Sequence, residues 1–476
     1  MKENTINGAA EKIPVAIIGG GIVGAGLFRD LALHGVPCLL IDRGDFASQT
    51  SQWSSKMLHG GIRYLENADL ALVWEALHEK NLWLKLAPHL CQDRPFYLPA
   101  FKNSKYPLWM NRIGLFLYDA LSAFKNTPHQ ILNKKKTLEA VPGLKNEGLS
   151  GCGVYHDVIV DDAKLTLENI YDGLKEDKSF ALNYVEMTDI QPTQGGFQLK
   201  LKDRLTQKER TIISQHVIFA TGPFTDQLLG RFPFLKWKNQ LLPSQGSHLW
   251  IKGSALPLSE PLVIQTNDQR IIFLIPQKGM VLVGTTEREV QQDLFNPLCA
   301  ADEKQYLIDC VQEYFPKISI KDEDILSTLA GIRPLVKGGQ MSLGKTSRRH
   351  KELEILPHLH VIIGGKLTTF RTMGQKIAGK VCQDLNFSYD PDFTARPFRQ
   401  HSLVCPFEDK PLTADLILNI ARQEHPRTFE DLIKRRLGVP ARQHWRGPDF
   451  NSFFTPLVGE LNKIFPIEAC DVINWK

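Results

Sequence analysis

Val15-Ala16-Ile17-Ile18-Gly19-Gly20-Gly21-Ile22-Val23-Gly24-Ala25-Gly26 is the stretch that decides the fold. Its first four residues form a short apolar run, as a buried parallel strand requires. Glycines 19, 21 and 24 follow at G-x-G-x-x-G spacing. Leu27, Leu31 and Leu33 around charged Arg29 and Asp30 then read as a helix ending near Gly35. A second apolar strand, Cys38-Leu39-Leu40-Ile41, closes on Asp42. Strand, glycine loop, helix, strand and acid together make the fingerprint of an adenine-dinucleotide site. Gly19 permits the tight turn and Gly21 lets backbone amides approach a pyrophosphate at the helix N-terminus. Gly24 lets helix pack on strand, and Asp42 can accept hydrogen bonds from a ribose. A glycine turn that only packs tightly would leave Asp42 unexplained.

The fingerprint does not choose between NAD and FAD. The stretch from Gln49 to Tyr64 is more telling, because it gathers hydroxyls, basic side chains and a Gly-Gly pair. Ser54, Ser55 and Lys56 suit phosphate oxygens. Gly60 and Gly61, preceded by His59, would let backbone reach a flat ring.

Composition sets the frame around this site. The chain has 476 residues, 43% hydrophobic and 23% charged, the balance of a globular protein with ample core. That excludes disorder, collagen-like repeats or a coiled coil as the main architecture. At roughly 150 residues per domain, about three domains or one elaborate two-domain enzyme are expected. Fifty-seven Lys and Arg against 52 Asp and Glu leave +5. This is too little for a dedicated nucleic-acid binder, so no nucleic acid is expected as a partner. It suits anionic substrates or an anionic lipid surface. Eight cysteines are scattered without a CxxC pair, which reads as reduced thiols in a cytosolic setting, with no disulfide framework and no metal centre. Met1 to Lys12 is polar and lacks an apolar core, which argues against a presequence. No run of about 18 apolar residues occurs to span a bilayer.

The stretch SSKMLHGGIRYLE (Ser54 to Glu66) closely resembles the FAD-dependent glycerol-3-phosphate dehydrogenases, the aerobic or respiratory family. Further motifs of that family recur in order: VDDAKL (Val160 to Leu165), NYVE (Asn183 to Glu186), ATGPF (Ala220 to Phe224) and GSHLW (Gly246 to Trp250). FLIPQ (Phe273 to Gln277), GTTERE (Gly284 to Glu289), GIRPL (Gly331 to Leu335) and GGKLTTFR (Gly364 to Arg371) complete the series. The resemblance runs from about Ile13 to Val381. It implies an α/β fold: a noncontiguous Rossmann-like FAD-binding domain, an interleaved α+β substrate domain and a short helical C-terminal domain. The expected segments are 13–72, 150–230 and 325–385 for FAD, 73–149 and 231–324 for substrate, and 393–476 for the helical domain.

The resemblance further implies oxidation of sn-glycerol 3-phosphate to dihydroxyacetone phosphate by hydride transfer from C2 to flavin N5, with electrons passed to a membrane quinone. Gly222 would meet the FAD edge, backbone near Val185 the adenine, and Gly365 and Thr368 the flavin ring. Some relatives in the wider superfamily attach FAD through a histidine; members of this closer family generally do not, so His59 is read as a noncovalent contact.

Oxidising a secondary alcohol requires a proton acceptor, and cations for the phosphate and the developing alkoxide. A histidine titrates near neutrality, which makes it the natural base. The GSH match selects His248 among fourteen. By resemblance Arg333 would make a substrate or transition-state contact near C2, and arginine's planar fork can bind oxyanions bidentately. Lys366 would be a second cation at the reactive centre. By resemblance Arg63, Tyr64 and Thr369 belong to the substrate grip. One more phosphate-binding arginine is expected after GIRPL. There the family's Arg-Asp pair is replaced by Ser347-Arg348-Arg349-His350. Arg349 is favoured by counting back from Leu353, and Arg348 by a one-residue slip.

Phe101 to Phe124 sets aromatics beside Lys102, Lys105 and Arg112, which fits either an amphipathic core helix or an interfacial segment. Because the family docks on membranes, peripheral contact with anionic lipid is expected, on the cytoplasmic face of the inner membrane. Beyond Pro391 the match fades. Leu412 to Ala421 and Phe429 to Leu437 keep helical spacing, and DLIKRRLG (Asp431 to Gly438) resembles the family's C-terminal domain faintly. The family uses that region for oligomer contacts, so a homodimer is one expected assembly. The rival readings are a paralogue acting on another 2-hydroxy or amino acid, an oxidase using oxygen, and a catalytically silent flavoprotein. The several phosphate-suited cations argue against the first, and retention of Arg63, His248, Arg333 and Lys366 against the last.

Overall fold

Lys12–Ile18 is apolar on both faces because both are covered. Its strand pairs in parallel with Cys38–Ile41 on one side and Glu209–Phe219 on the other. Val15 and Ile17 pack beneath the helices Ile22–Leu33 and Phe370–Asp384, while Ala16 and Ile18 join the opposite core with Phe197, Leu199 and Phe219. The computed structural model describes residues 11–67, 69–290, 293–337, 350–407, 412–438 and 448–466. Arg348 and Arg349 therefore lie outside the described residues.

Six strands of this eight-stranded sheet run in the order Lys351–Leu356, Leu359–Ile363, Glu209–Phe219, Lys12–Ile18, Cys38–Ile41, Phe180–Leu182. An antiparallel ribbon, Val185–Thr193 with Gly196–Asp203, extends from Glu209–Phe219. This is the doubly wound arrangement that places ligands at the carboxyl ends of its parallel strands. Leu27, Phe28 and Leu31 are fully buried, each contributing about 1.5–3 kcal/mol.

The second sheet has ten strands and is mainly antiparallel. Toward one edge Leu241–Lys252 lies between Met280–Gly284 and Ile325–Val336, and toward the other Cys91–Phe101 pairs along Leu149–Val160. Two expected boundaries therefore move. Leu149–Val160 and Ile325–Val336 belong to this second sheet, not to the nucleotide layer that 150–230 and 325–385 assigned them to. The reason is pairing: the longest ladder of each strand is with a strand some tens of residues away, and strand composition alone does not name it.

The C-terminal helices gather Ile417, Ile420, Leu432 and Phe454 into a core of their own, with the helix Ala414–Gln423 capped by the Thr413 hydroxyl. Their attachment is ionic. Asp45, fully enclosed just after the second nucleotide strand, accepts from Arg436, from Arg435 Nε at 2.5 Å and from Asn183 Nδ2 at 2.7 Å. Arg435 also reaches Asp431, which takes the Tyr184 hydroxyl at 2.6 Å. Burial works to raise the Asp45 carboxyl, but Arg436 and Arg435 outweigh it and hold it well below the usual range.

Segment 101–124 holds an amphipathic helix. The helix Leu108–Leu121 buries Leu115 and Tyr118, while Trp109, Ile113 and Phe116 on its other face, and Phe124 just beyond, are each more than half exposed.

Candidate active site

One cavity of about 690 Å³ runs from the glycine loop across to the second sheet. At the first end Asp42 takes Gly20 N–H at 2.7 Å and Gly44 N–H at 2.8 Å. Burial raises its carboxyl to about 6, and those two amides pull the other way. Gly19 holds φ +112°, and a side chain on Gly24 would run into the Gly19 carbonyl. Close helix-on-strand packing is therefore a steric requirement at Gly24. Gly21 precedes the helix and lines the cavity. Ser51, which sequence reading passed over, accepts the Ile22 N–H at 2.9 Å there. Val185 and Gly222 also line the wall. Phe224 stacks on Phe295 at 4.0 Å between centroids, and the Arg43 guanidinium lies 4.0 Å from the Phe295 ring. That strap was not legible, since nothing marks 290–300 as returning to the nucleotide layer.

At the far end the wall includes Ser54, Ser55, His59, His248, Arg333, Gly365, Lys366 and Thr368. His248 sits mid-strand opposite Gly284, where any side chain would collide with the imidazole. Its Nε2 lies 2.9 Å from the Ser55 hydroxyl, and its Nδ1 has no hydrogen-bond partner among the described residues. Burial lowers His248 to about 3, with Arg333 and Lys56 adding to the effect, so the ring is neutral near pH 7.

Arg333 crosses the facing pair Gly246 and Gly331. A side chain on Gly246 would occupy the guanidinium's place, and one on Gly331 would strike Trp53. Its Nη2 donates to Thr285 Oγ1 at 2.7 Å and to the Thr286 carbonyl at 3.2 Å. Behind it the buried Glu303 takes Thr286 Oγ1 at 2.5 Å, Gln245 Nε2 at 2.8 Å and Ser247 Oγ at 3.0 Å. Glu303 thus fixes the strand that carries His248, and no sequence signal marked it. Lys366 Nζ lies 3.6 Å above the centre of the Tyr64 ring, a cation–π contact. Thr368 Oγ1 receives His59 N–H at 3.2 Å, which joins the two loops.

Several expected residues stand elsewhere. Lys56 is not on the cavity wall, because its ammonium is held by Asp162 at 2.5 Å and the Gln52 carbonyl at 2.6 Å. Gly60 and Gly61 do not reach the wall either. Gly60 packs under Leu77 and the Tyr118 hydroxyl, Gly61 under the Tyr64 ring, so their bareness serves packing. Tyr64 is buried beneath Lys366, and Arg63 is half-buried on the turn Ile62–Asn67 and is not part of the wall. Thr369 is buried behind Thr368, where its carbonyl accepts from the Thr372 hydroxyl.

Residues 14–378 match the family model described as FAD dependent oxidoreductase. The chain is 34% identical over 397 residues to an aerobic glycerol-3-phosphate dehydrogenase of Staphylococcus haemolyticus, covering 83% of this chain and 70% of that one. It is likewise 34% identical over 398 residues to the protein of that name in Staphylococcus aureus, covering 83% and 71%. Its fold is similar to that of the Bacillus halodurans glycerol-3-phosphate dehydrogenase solved with FAD, with TM-score 0.76 at 24% identity over 98% and 94% of the two chains. An L-alpha-glycerophosphate oxidase from Mycoplasma pneumoniae, also with FAD bound, has TM-score 0.61 at 19% identity over 81% and 98%. The glycine loop, Asp42 and the open cavity between the two sheets fit the same cofactor. The chain is an FAD-dependent oxidoreductase and belongs to the glycerol-3-phosphate dehydrogenase family.

Proposed function

We propose that the protein oxidises sn-glycerol 3-phosphate to dihydroxyacetone phosphate. The observation that carries this reading is the set His248, Arg333 and Lys366 on the wall at one end of the cavity whose other end carries the dinucleotide fingerprint. Gly19, Gly21 and Asp42 would hold FAD, which would supply the acceptor for the hydride that leaves C2, with a quinone as the final acceptor of the two electrons. Neutral His248 takes the C2 hydroxyl proton, and the Ser55 hydroxyl holds its ring in place. Arg333 steadies the oxygen as negative charge develops, and is aimed beforehand by Thr285 and Thr286. Lys366 adds a second positive charge, its ammonium partly desolvated on the Tyr64 face.

Delivery to a quinone gives the exposed face of Leu108–Leu121 a task. Trp109, Ile113 and Phe116 beside Lys105 and Arg112 form an interfacial anchor on anionic lipid at the cytoplasmic face of the membrane. No helix among the described residues is long and apolar enough to cross a bilayer.

The first test is anaerobic addition of sn-glycerol 3-phosphate to the yellow holoenzyme. Bleaching of the flavin band is expected. A yellow protein that keeps its colour would turn the reading toward another 2-hydroxy acid or an amino acid. Stoichiometric peroxide in air, with no quinone reduction, would instead mark an oxidase. Colour that leaves the pellet on acid precipitation is the result expected for noncovalent FAD.

A further inference from the structure

At the end of the nucleotide sheet away from the cavity, three side chains from three elements converge. His216 lies on the strand Glu209–Phe219, His358 in the turn before Leu359–Ile363, and Asp384 ends the helix Phe370–Asp384. Each offers one donor atom, and these atoms lie within 4.8 Å of one another. We propose that His216, His358 and Asp384 form a binding site for a divalent transition ion of the zinc class.

Two imidazoles and a carboxylate are the donor set that borderline ions such as Zn²⁺ favour. His216 is 2% exposed, and its Nδ1 has no hydrogen-bond partner among the described residues, which is costly for a buried imidazole. Its neighbours His358 and His360 are also rings, 4.5 and 6.0 Å away between centroids.

The spacing of the other two ligands is informative. His358 Nδ1 and Asp384 Oδ2 stand 3.4 Å apart. Of the five other histidine–carboxylate pairs among the described residues, His89–Glu168, His129–Asp119 and His156–Asp93 close to 2.7 Å, while His34–Asp30 and His350–Glu352 stand at 3.1 and 3.2 Å. A tetrahedral zinc with bonds near 2.0–2.1 Å sets its ligand atoms roughly 3.4 Å apart. The pair is therefore spaced as two corners of such a site, with solvent at the exposed His358 for the remaining position. The carbonyl end of the helix Phe370–Asp384 adds partial negative charge there. The nearby Lys380 cation is engaged by Glu354, which also accepts the His358 N–H at 3.1 Å. Sequence reading expected no metal because these ligands lie far apart along the chain, and only the parallel pairing of the two strands brings the histidines together.

The test uses the FAD-loaded full chain, chelator-treated and without an affinity tag, titrated with Co²⁺ as a spectroscopic probe and with Zn²⁺. One equivalent of Co²⁺ should bind with visible absorption of low-symmetry coordination, Zn²⁺ should displace it, and Zn²⁺ should raise the unfolding temperature. His358→Ala and Asp384→Asn are surface changes that leave the core intact, and each should abolish all three effects while FAD stays bound. Absence of saturable binding in the parent protein would overturn the proposal. So would binding that survives either substitution unchanged.

Discussion

The two ends of the cavity hold their charged groups in different ways. Near the glycine loop, Asp42 is met by two backbone amides, and Asp45 just beyond it by Arg435, Arg436 and Asn183. At the other end Arg333 is met by a hydroxyl and carbonyls, and Lys366 by an aromatic face. Asp45, answered by two arginines, fastens the loop beside Asp42 to the C-terminal helices, which suits an occupant that stays. Arg333 and Lys366 line the cavity, where their field reaches an anion that comes and goes. Substitutions at the two ends should therefore separate cofactor retention from turnover.

The largest effect is expected at Asp45→Asn. It strands two buried arginines, and losing one member of such a cluster costs about 3–5 kcal/mol. A lowered unfolding temperature and weakened FAD retention should appear together, with KM for sn-glycerol 3-phosphate little changed in the protein that keeps its flavin. His248→Gln should keep FAD and its spectrum but lower kcat by about a thousandfold, as loss of a general base does. Single-turnover flavin reduction measures this directly, and an unchanged rate would remove His248 from the proton path. Arg333→Gln should lower kcat/KM by about a hundredfold with FAD affinity intact. Gly246→Ala, which displaces the same guanidinium, should mimic it; wild-type turnover there would contradict Arg333's role.

Acidity sharpens the contrast further. His248 stays neutral in the fold down to about 3, whereas in the unfolded chain it takes a proton below its ordinary 6.5. Folded stability from this group is complete above pH 6.5 and is lost as pH falls toward 3. In His248→Gln the acid-side slope of stability against pH should therefore be shallower by about 1.4 kcal/mol per pH unit in that window. The smallest effect belongs outside the cavity. Trp109→Glu with Phe116→Glu should weaken flotation with anionic vesicles and leave flavin reduction in solution unchanged.

How much of this was legible depended on sequence distance. The strand, glycine loop, helix, strand and Asp42 could be read because the motif is contiguous and every position has a steric or electrostatic task. His248, Arg333 and Lys366 were reached through motifs, and the fold brings them to one wall. Lys56 misled because its partner Asp162 lies on another element. Gly60 and Gly61 misled because a bare backbone serves packing as readily as ring contact. Glu303, the Phe224–Phe295 strap and the edges of the two sheets rest on long-range pairing, which local pattern does not encode.

Asp45 and its partner Arg436 are 391 residues apart. At about 5–20 residues per second, a ribosome needs roughly 20–80 s to travel between them. Throughout that interval the loop beside Asp42 is made but not fastened. The C-terminal helices thus fasten the nucleotide end only when synthesis is nearly complete.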